Sequence, residues 1–316
     1  MAPGKAKTRL GTFFRQVFSS WQLYLMALPT FALLFMFSYM PMFGTLMAFK
    51  RFRIKDGILG SPWMQPLFRN FEILFRANSA AVNAIKNTLL LNLLFIAVGT
   101  IFALMLALMF NEIRSKTYKK VTQSLTFLPY FISTVVVGIF AAGMLGYDNG
   151  VINGWLSTMG FERVAFYMEP RYWPVILLVV NVWKGAGYSS VVYLATIAGI
   201  DSSYYEAAQI DGATKWDQIR YISLPLLRPT VIILTLLAIG RIMNADFGLF
   251  FNVTGDMPAI YSTTDVIDTF IYRTLRKTGD LGISTAVGLF QSTVSFVLVI
   301  LSNWAARRID DSAALF

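Results

Sequence analysis

The chain has no cysteine and no histidine among its 316 residues. Without cysteine there is no disulfide and no thiolate chemistry. Without histidine there is no imidazole metal ligand, no histidine general base and no histidine-based triad. Charge is scarce as well: Asp, Glu, Lys and Arg make up 14% of the residues, against about 25% in a soluble domain. Apolar residues fill the gap, at 56% of the chain with 27 phenylalanines. The mean hydropathy is +0.58, which describes a chain solvated by lipid. A net charge of +10 would suggest nucleic acid in a soluble protein. In a lipid-solvated chain basic residues flank spans and meet anionic headgroups, so membrane lipid is the expected partner and nucleic acid is not.

A spanning helix needs roughly 20 mostly apolar residues. Six stretches qualify: Trp21 to Phe43, Thr88 to Phe110, Leu125 to Leu145, Tyr172 to Ile197, Thr230 to Phe251 and Ile283 to Trp304. The first is long, follows a basic arm and lacks a small-residue cleavage pattern, so it is expected to remain as a span. The fold class is therefore all-α, a polytopic membrane protein. A basic arm over residues 1–20 precedes one transmembrane domain over 21–316.

An even number of spans puts both termini on one face. Lys5, Lys7, Arg9 and Arg15 lie on that face, as do Arg114, Lys116, Lys119 and Lys120, and Arg307 and Arg308. The positive-inside rule makes it cytoplasmic. Residues 44–86 run against the rule, since Lys50, Arg51, Arg53, Lys55, Arg69, Arg76 and Lys86 fall outside in this topology. Two further external segments, 146–170 and 252–280, mix turn residues with short apolar runs and are expected to hold small helices.

Between spans four and five lies a polar, turn-punctuated stretch, EAAQIDGATKWDQIRYISLPLLRP, from Glu206 to Pro229. Ser203 and Glu206 fit a capping box with Tyr204 and Tyr205 as the first turn. Asp211-Gly212 breaks that helix, because glycine accepts backbone angles other residues avoid. Thr214 and Asp217 form a second box. Pro225 and Pro229 are placed to open the fifth span, where a first turn tolerates proline. The product is a helix–turn–helix across the cytoplasmic mouth, over about 198–229, with a small, flat face of Ala207, Ala208 and Ala213. An ordinary, well-capped interfacial loop accounts for everything except that face.

This stretch resembles the EAA motif of permease subunits in bacterial binding-protein-dependent ATP-binding-cassette importers. The matching residues are Glu206-Ala207-Ala208, Asp211-Gly212-Ala213, Trp216, Ile222, Leu224-Pro225 and Pro229. Ile219 stands where many relatives carry phenylalanine. YMPMFGTLMAFK, NTLLLNLLF, FLPYFISTVVVG, VWKGAGYSSVVYLA and TTDVIDTFIYR extend the likeness over nearly the whole chain, toward the saccharide branch. DFGLFFN and DVIDTFIYR narrow it to permeases of complex saccharides, including aldouronate and alginate types. The resemblance implies a type I importer permease fold in the bacterial inner membrane. Its coupling loop, with Glu206, Ala207, Ala208, Asp211, Gly212, Ala213 and Trp216, would dock on an ATPase. It also implies two ATP-binding subunits, a second and different permease, and an extracytoplasmic solute-binding protein.

No cofactor is expected in this chain, with ATP and magnesium held by the partner ATPases. A P-loop needs glycine, four residues, then Gly-Lys-Ser/Thr. The only Gly-Lys here is Gly4-Lys5, with no room before it. The chain is thus expected to be a transport subunit and not an enzyme.

Charge inside a span usually faces a cavity or a partner. Lys184, Arg241 and Asp246 are the notable cases, with Asn181, Trp183, Tyr188, Tyr193 and Asn244 as polar or aromatic candidates for a sugar path. Lys184 can also snorkel, and Arg241 can pair with Asp246. Two cations near the path and a basic external loop point toward an acidic, uronate-containing oligosaccharide. A neutral oligosaccharide is the alternative. An ion-coupled secondary transporter would need more buried carboxylates than Asp246.

Overall fold

The computed structural model describes residues 20–309. The basic arm expected over residues 1–20, apart from Ser20, lies outside them. Among the described residues the elements are helical, with one isolated β-bridge between Lys50 and Trp63.

Helix α1 runs over Trp21–Phe49, α2 over Ala80–Glu112, α6 over Pro170–Ala198 and α8 over Lys215–Gly240. Helix α11 covers Leu281–Ile309. Each of these is long and apolar enough to cross a membrane. A further apolar pair, α3, Lys116–Phe131, and α4, Thr134–Leu145, is bent by 94° and makes a sixth crossing if the two count as one span. Between the spans lie α5 (Val151–Thr158), α7 (Ser202–Ile210), α9 (Phe247–Thr254) and α10 (Ile267–Arg273). Segments 146–170 and 252–280 do carry the short helices expected of them.

Helices α2 and α6 make the most extensive helix pair, with α3 against α6, α4 against α9 and α8 against α11. Lipid offers no hydrophobic drive between helices, so close packing relies on small residues. A Cβ at Gly187 would sit 2.2 Å from the Thr126 carbonyl oxygen, and one at Gly138 2.4 Å from that of Asn252. Those two glycines are what let α6 meet α3 and α4 meet α9. One core joins Leu91, Phe95, Trp173, Leu177 and Phe250. A second joins Leu74, Met243, Ile267 and Val287. The first turns of α1 stand apart: Trp21–Leu34 buries no residue.

Two spans depart from the sequence expectation. The third is not one helix over Leu125 to Leu145; it breaks at Ile132–Ser133, where Ser133 restarts α4 by accepting from the Val135 amide at 3.2 Å. The fifth is not Thr230 to Phe251. It begins at Lys215 and ends at Gly240. Pro225 lacks a donor and its ring presses on the carbonyl one turn back. The helix widens there into a π turn over Ile219–Ser223 instead of stopping. The second half of the expected helix–turn–helix is therefore the start of span five.

After Gly240 the chain unwinds over residues 241–246 before α9 starts. Irregular backbone at membrane depth survives only where protein satisfies it. Asn92 donates to the carbonyls of Ile242 at 2.7 Å and Asn244 at 3.2 Å. Gln291 donates to the Met243 carbonyl at 2.9 Å, and the Ala245 amide donates to Asp268 at 2.8 Å. Asn92, Gln291 and Asp268 were not among the residues singled out by sequence.

Candidate functional site

The segment after α6 is built from its caps. Asp201 opens α7, its Oδ1 accepting from the Ser203 amide at 2.9 Å. That hydrogen bond holds the Asp201 carboxyl below its ordinary pKa. The expected box of Ser203 and Glu206 does not form, because Asp201 sits one turn position earlier and takes the capping role. The second box does form: Asp217 accepts from the Thr214 amide at 2.9 Å, and Thr214 accepts from the Asp217 amide at 3.3 Å. Gly212 joins the two helices with φ at +78°, a conformation open to glycine and strained for other residues.

The segment is tied down on one side only. Lys215 lies 3.6 Å from Glu112 at the end of α2, and the Tyr205 hydroxyl lies 2.9 Å from that of Ser223 on α8. On the other side it is bare. Glu206, Ala207, Asp211, Gly212 and Trp216 are exposed, while Ala208 and Ala213 are half-buried. The small, flat face is thus flanked by large apolar side chains: Ile210 is 87% exposed and Trp216 66%. Tyr204 and Tyr221 are exposed beside them. Ile210 was not singled out in the sequence, although an apolar residue at the end of a polar helix, two before the turn glycine, was a usable signal.

The candidate path residues do not gather in one place. Asn181, Tyr188 and Tyr193 line one cavity of about 330 Å³, together with Thr100, Ser189 and Leu234. Trp183 opens instead on an apolar groove with Phe102 and Leu125. Lys184 is held at the break in span three, donating to the Tyr130 carbonyl at 2.9 Å and that of Ile132 at 2.7 Å. It closes the frayed end of α3 in the way a basic residue completes a helix C-terminus. The neighbouring Tyr130 ring stacks on Tyr188 at 4.2 Å between centroids.

Arg241 and Asp246 do not pair; among the described residues no ion pair joins them. The two stand at opposite ends of the unwound segment. Asp246 caps α9 by accepting from the Leu249 amide at 3.0 Å. Arg241 lies in a crevice between α8 and α11, beside Leu237 and Ala306. Asn244 is exposed and accepts from Gln291 at 3.3 Å.

At the other end of the molecule the TTDVIDTFIYR stretch forms a knot of charge. Arg273 bonds Asp265 and lies 3.7 Å from Asp256, with its guanidinium 4.0 Å from the centre of the Tyr261 ring. Thr269 donates to Asp265 at 2.8 Å, and Asn87 on α2 donates to the Asp265 carbonyl at 3.0 Å. Asp265 is 3% exposed, so its charge is tolerable only because Arg273 and the Thr269 hydroxyl meet the carboxylate.

The sequence profile of the family described as "Binding-protein-dependent transport system inner membrane component" matches residues 99–311. Among similar proteins is the polygalacturonan/rhamnogalacturonan transport system permease protein YteP of Bacillus subtilis (strain 168). It is 34% identical over 289 residues, covering 90% of this chain and 88% of YteP. Protein LplB of the same organism is 32% identical over 288 residues, with 91% and 89% covered. A chain in the crystal structure of a bacterial ABC transporter involved in the import of the acidic polysaccharide alginate superposes with a TM-score of 0.86 at 38% identity. The match covers 95% of this chain and 99% of that one. A second crystal structure is of a bacterial alginate ABC transporter in complex with alginate pentasaccharide-bound periplasmic protein. It matches with a TM-score of 0.84 at 38% identity, over 94% and 97% of the two chains.

Proposed function

We propose, for a chain that belongs to the binding-protein-dependent transport system inner membrane component family, that its cargo is an acidic, uronate-containing oligosaccharide. The protein is the membrane permease of an ATP-driven sugar importer and is not itself an enzyme. The observation that carries the cargo reading is a coincidence of chemistry among its relatives. The polymers named for YteP and for the solved transporter, polygalacturonan and alginate, are both built from uronic acids. A solute-binding protein would deliver the sugar at the face bearing residues 44–86.

The partner arrangement belongs to the same reading. Residues 198–229 act as the coupling loop of a single transmembrane domain over 21–316. Exposed Glu206, Ile210 and Trp216 on that loop enter a groove of an ATP-binding subunit, which holds ATP and magnesium. Two such subunits and a second, different permease complete the assembly, with both termini of this chain cytoplasmic. The wall of Asn181, Tyr188 and Tyr193, together with exposed Asn244 and Asp246, forms this chain's half of the sugar path.

A neutral oligosaccharide is the second reading. It is favoured by the cavity between α2, α6 and α8, whose lining is uncharged, with Lys184 already engaged by two carbonyls. ATPase activity of the reconstituted complex, stimulated by its loaded binding protein, separates the two. Oligouronates are expected to stimulate more strongly than their carboxyl-reduced counterparts. Equal or stronger stimulation by the neutral chains removes the acidic reading.

A further inference from the structure

If the cargo is acidic, the membrane cavity offers its carboxylates no free cation, yet four arginines gather elsewhere. Arg51, Arg53, Arg69 and Arg76 line one cleft of about 790 Å³. Three pieces of chain build it. Residues 51–53 run extended against 61–63, with the Arg51 amide donating to the Pro62 carbonyl at 2.9 Å and the Arg53 amide to the Ser61 hydroxyl at 2.9 Å. The 3₁₀ turn Arg69–Leu74 forms the second wall. The start of α11, at Asp280 and Ile283, closes the third side. Buried Asn70 fixes this frame by donating to the Ala48 carbonyl at 2.9 Å.

The charges in the cleft are not spent on one another. Among the described residues, only Arg53 of the four has a carboxylate within ion-pair distance, Asp56 at 3.9 Å, and both of those side chains are exposed. Two acids share the lining, Glu72 and Asp280, so four guanidinium groups face two carboxylates. Asp280 is occupied in capping α11, accepting from the Ile283 amide at 2.8 Å. Trp63 adds an aromatic wall. Lys50 covers one face of its ring at 4.9 Å, and the side chain is still 56% exposed. Lys50 itself is buried and donates to the Leu59 carbonyl at 2.8 Å, so it shapes the cleft and does not enter it.

We propose that this cleft is a binding subsite for a saccharide chain bearing several carboxylates, outside the membrane cavity. Planar guanidinium groups match carboxylates two bonds at a time, and an aromatic ring offers an apolar face to a sugar ring. Arginines repeated along a groove suit a ligand whose charge also repeats, one carboxylate per sugar. The volume falls within the range of small-molecule sites. Its position fits a waiting place: Glu112, at the far end of α2, touches the coupling segment through Lys215. The cleft residues directly precede Ala80 at the near end, about 50 Å away along a helix of 33 residues. A polyuronate leaving a delivery protein would be held here by its charge while its leading end enters the uncharged path. The subsite accounts for the basic charge of residues 44–86, which runs against the positive-inside rule. It rests on the acidic-cargo reading for its physiological ligand, and on the cleft geometry for its chemistry.

The test uses the assembled complex in nanodiscs of zwitterionic lipid, with no binding protein present. A defined oligogalacturonate and its carboxyl-reduced counterpart are titrated directly. The uronate is expected to bind and the reduced chain not to bind measurably. Arg69→Gln and Arg76→Gln alter exposed side chains, and each should weaken uronate binding by roughly tenfold, as loss of one charge-assisted hydrogen-bonded pair does. Two results overturn the proposal. One is uronate affinity unchanged in the double variant, or absent from the parent complex. The other is a double variant that loses affinity for the unloaded binding protein while its uronate affinity stays, which makes the cleft a protein interface. Stimulation of ATPase by neutral chains removes the cargo reading without touching this titration, so the two failures are told apart.

Discussion

The segment over residues 201–218 and the segment over 256–277 are both polar stretches between apolar spans, and they handle charge in opposite ways. In the second, Arg273 is gripped by Asp265, Asp256 and the Tyr261 ring, and Thr269 and Asn87 complete the set. In the first, Glu206 and Asp211 are exposed and meet no basic side chain within ion-pair distance among the described residues. Beside them Ile210 and Trp216 stand out uncovered. Charge matched inside the chain is architecture, while unmatched charge next to uncovered apolar side chains is what the proposed docking of another protein would use. The two stretches look alike in composition, and only their partners distinguish them.

The largest expected effect tests whether the two ends face opposite sides of the membrane. The chain has no cysteine, so single introduced cysteines report cleanly. Arg53→Cys is expected to react fully with an impermeant thiol reagent applied from outside, and Lys119→Cys not at all. The reverse pattern inverts the orientation and with it the docking assignment.

Breaking the knot comes next. Arg273→Met leaves Asp265 buried and unpaired, at a cost of about 3–5 kcal/mol. It should appear as lost yield and an earlier thermal unfolding transition of the purified complex. Adding Asp265→Asn should recover much of that loss. If Arg273→Met unfolds like the parent, the knot is not structural. Lys184→Met removes the donor for two carbonyls, with an expected cost of about 1–3 kcal/mol and no change in the ratio of uronate to neutral ATPase stimulation. A selective loss of the uronate response would return Lys184 to the sugar path.

In the proposed coupling segment function and stability should part. Gly212→Val forces a β-branched residue to a φ of +78°, a local strain of about 1–3 kcal/mol. Glu206→Ala should leave stability within about 0.5 kcal/mol. Both are expected to reduce co-purification of the ATP-binding subunit and uncouple its ATPase from cargo. A Glu206→Ala complex that assembles and transports like the parent would place that carboxylate on an idle surface.

Much of this was legible from residues alone. Apolar runs long enough to span announced themselves, and Thr214 with Asp217 announced a cap that forms as read. Elsewhere local signals misled. Ser203 and Glu206 fit a box, but Asp201 capped first, since a helix takes the earliest acceptor that reaches its free amides. Pro225 reads as a helix start, yet a π turn absorbs it. Lys184 reads either as a cation for substrate or as a snorkelling lysine, and neither reading includes the carbonyls it meets, on Tyr130 and Ile132, because they come from a break that no periodicity announces.

By itself the sequence determined the lipid environment and the long apolar helices that suit it. Lipid hydrates no backbone, so long apolar helices are forced by composition alone, and caps and turn glycines act within a few residues of themselves. Tertiary structure alone decided where helices break and which polar groups are already satisfied. Those outcomes depend on partners far along the chain: Lys184 reaches a carbonyl 54 residues away, and Asn92 one 150 residues away. A charge or an unwound turn in a membrane is stable only once such a partner arrives, and no local pattern specifies which residue that will be.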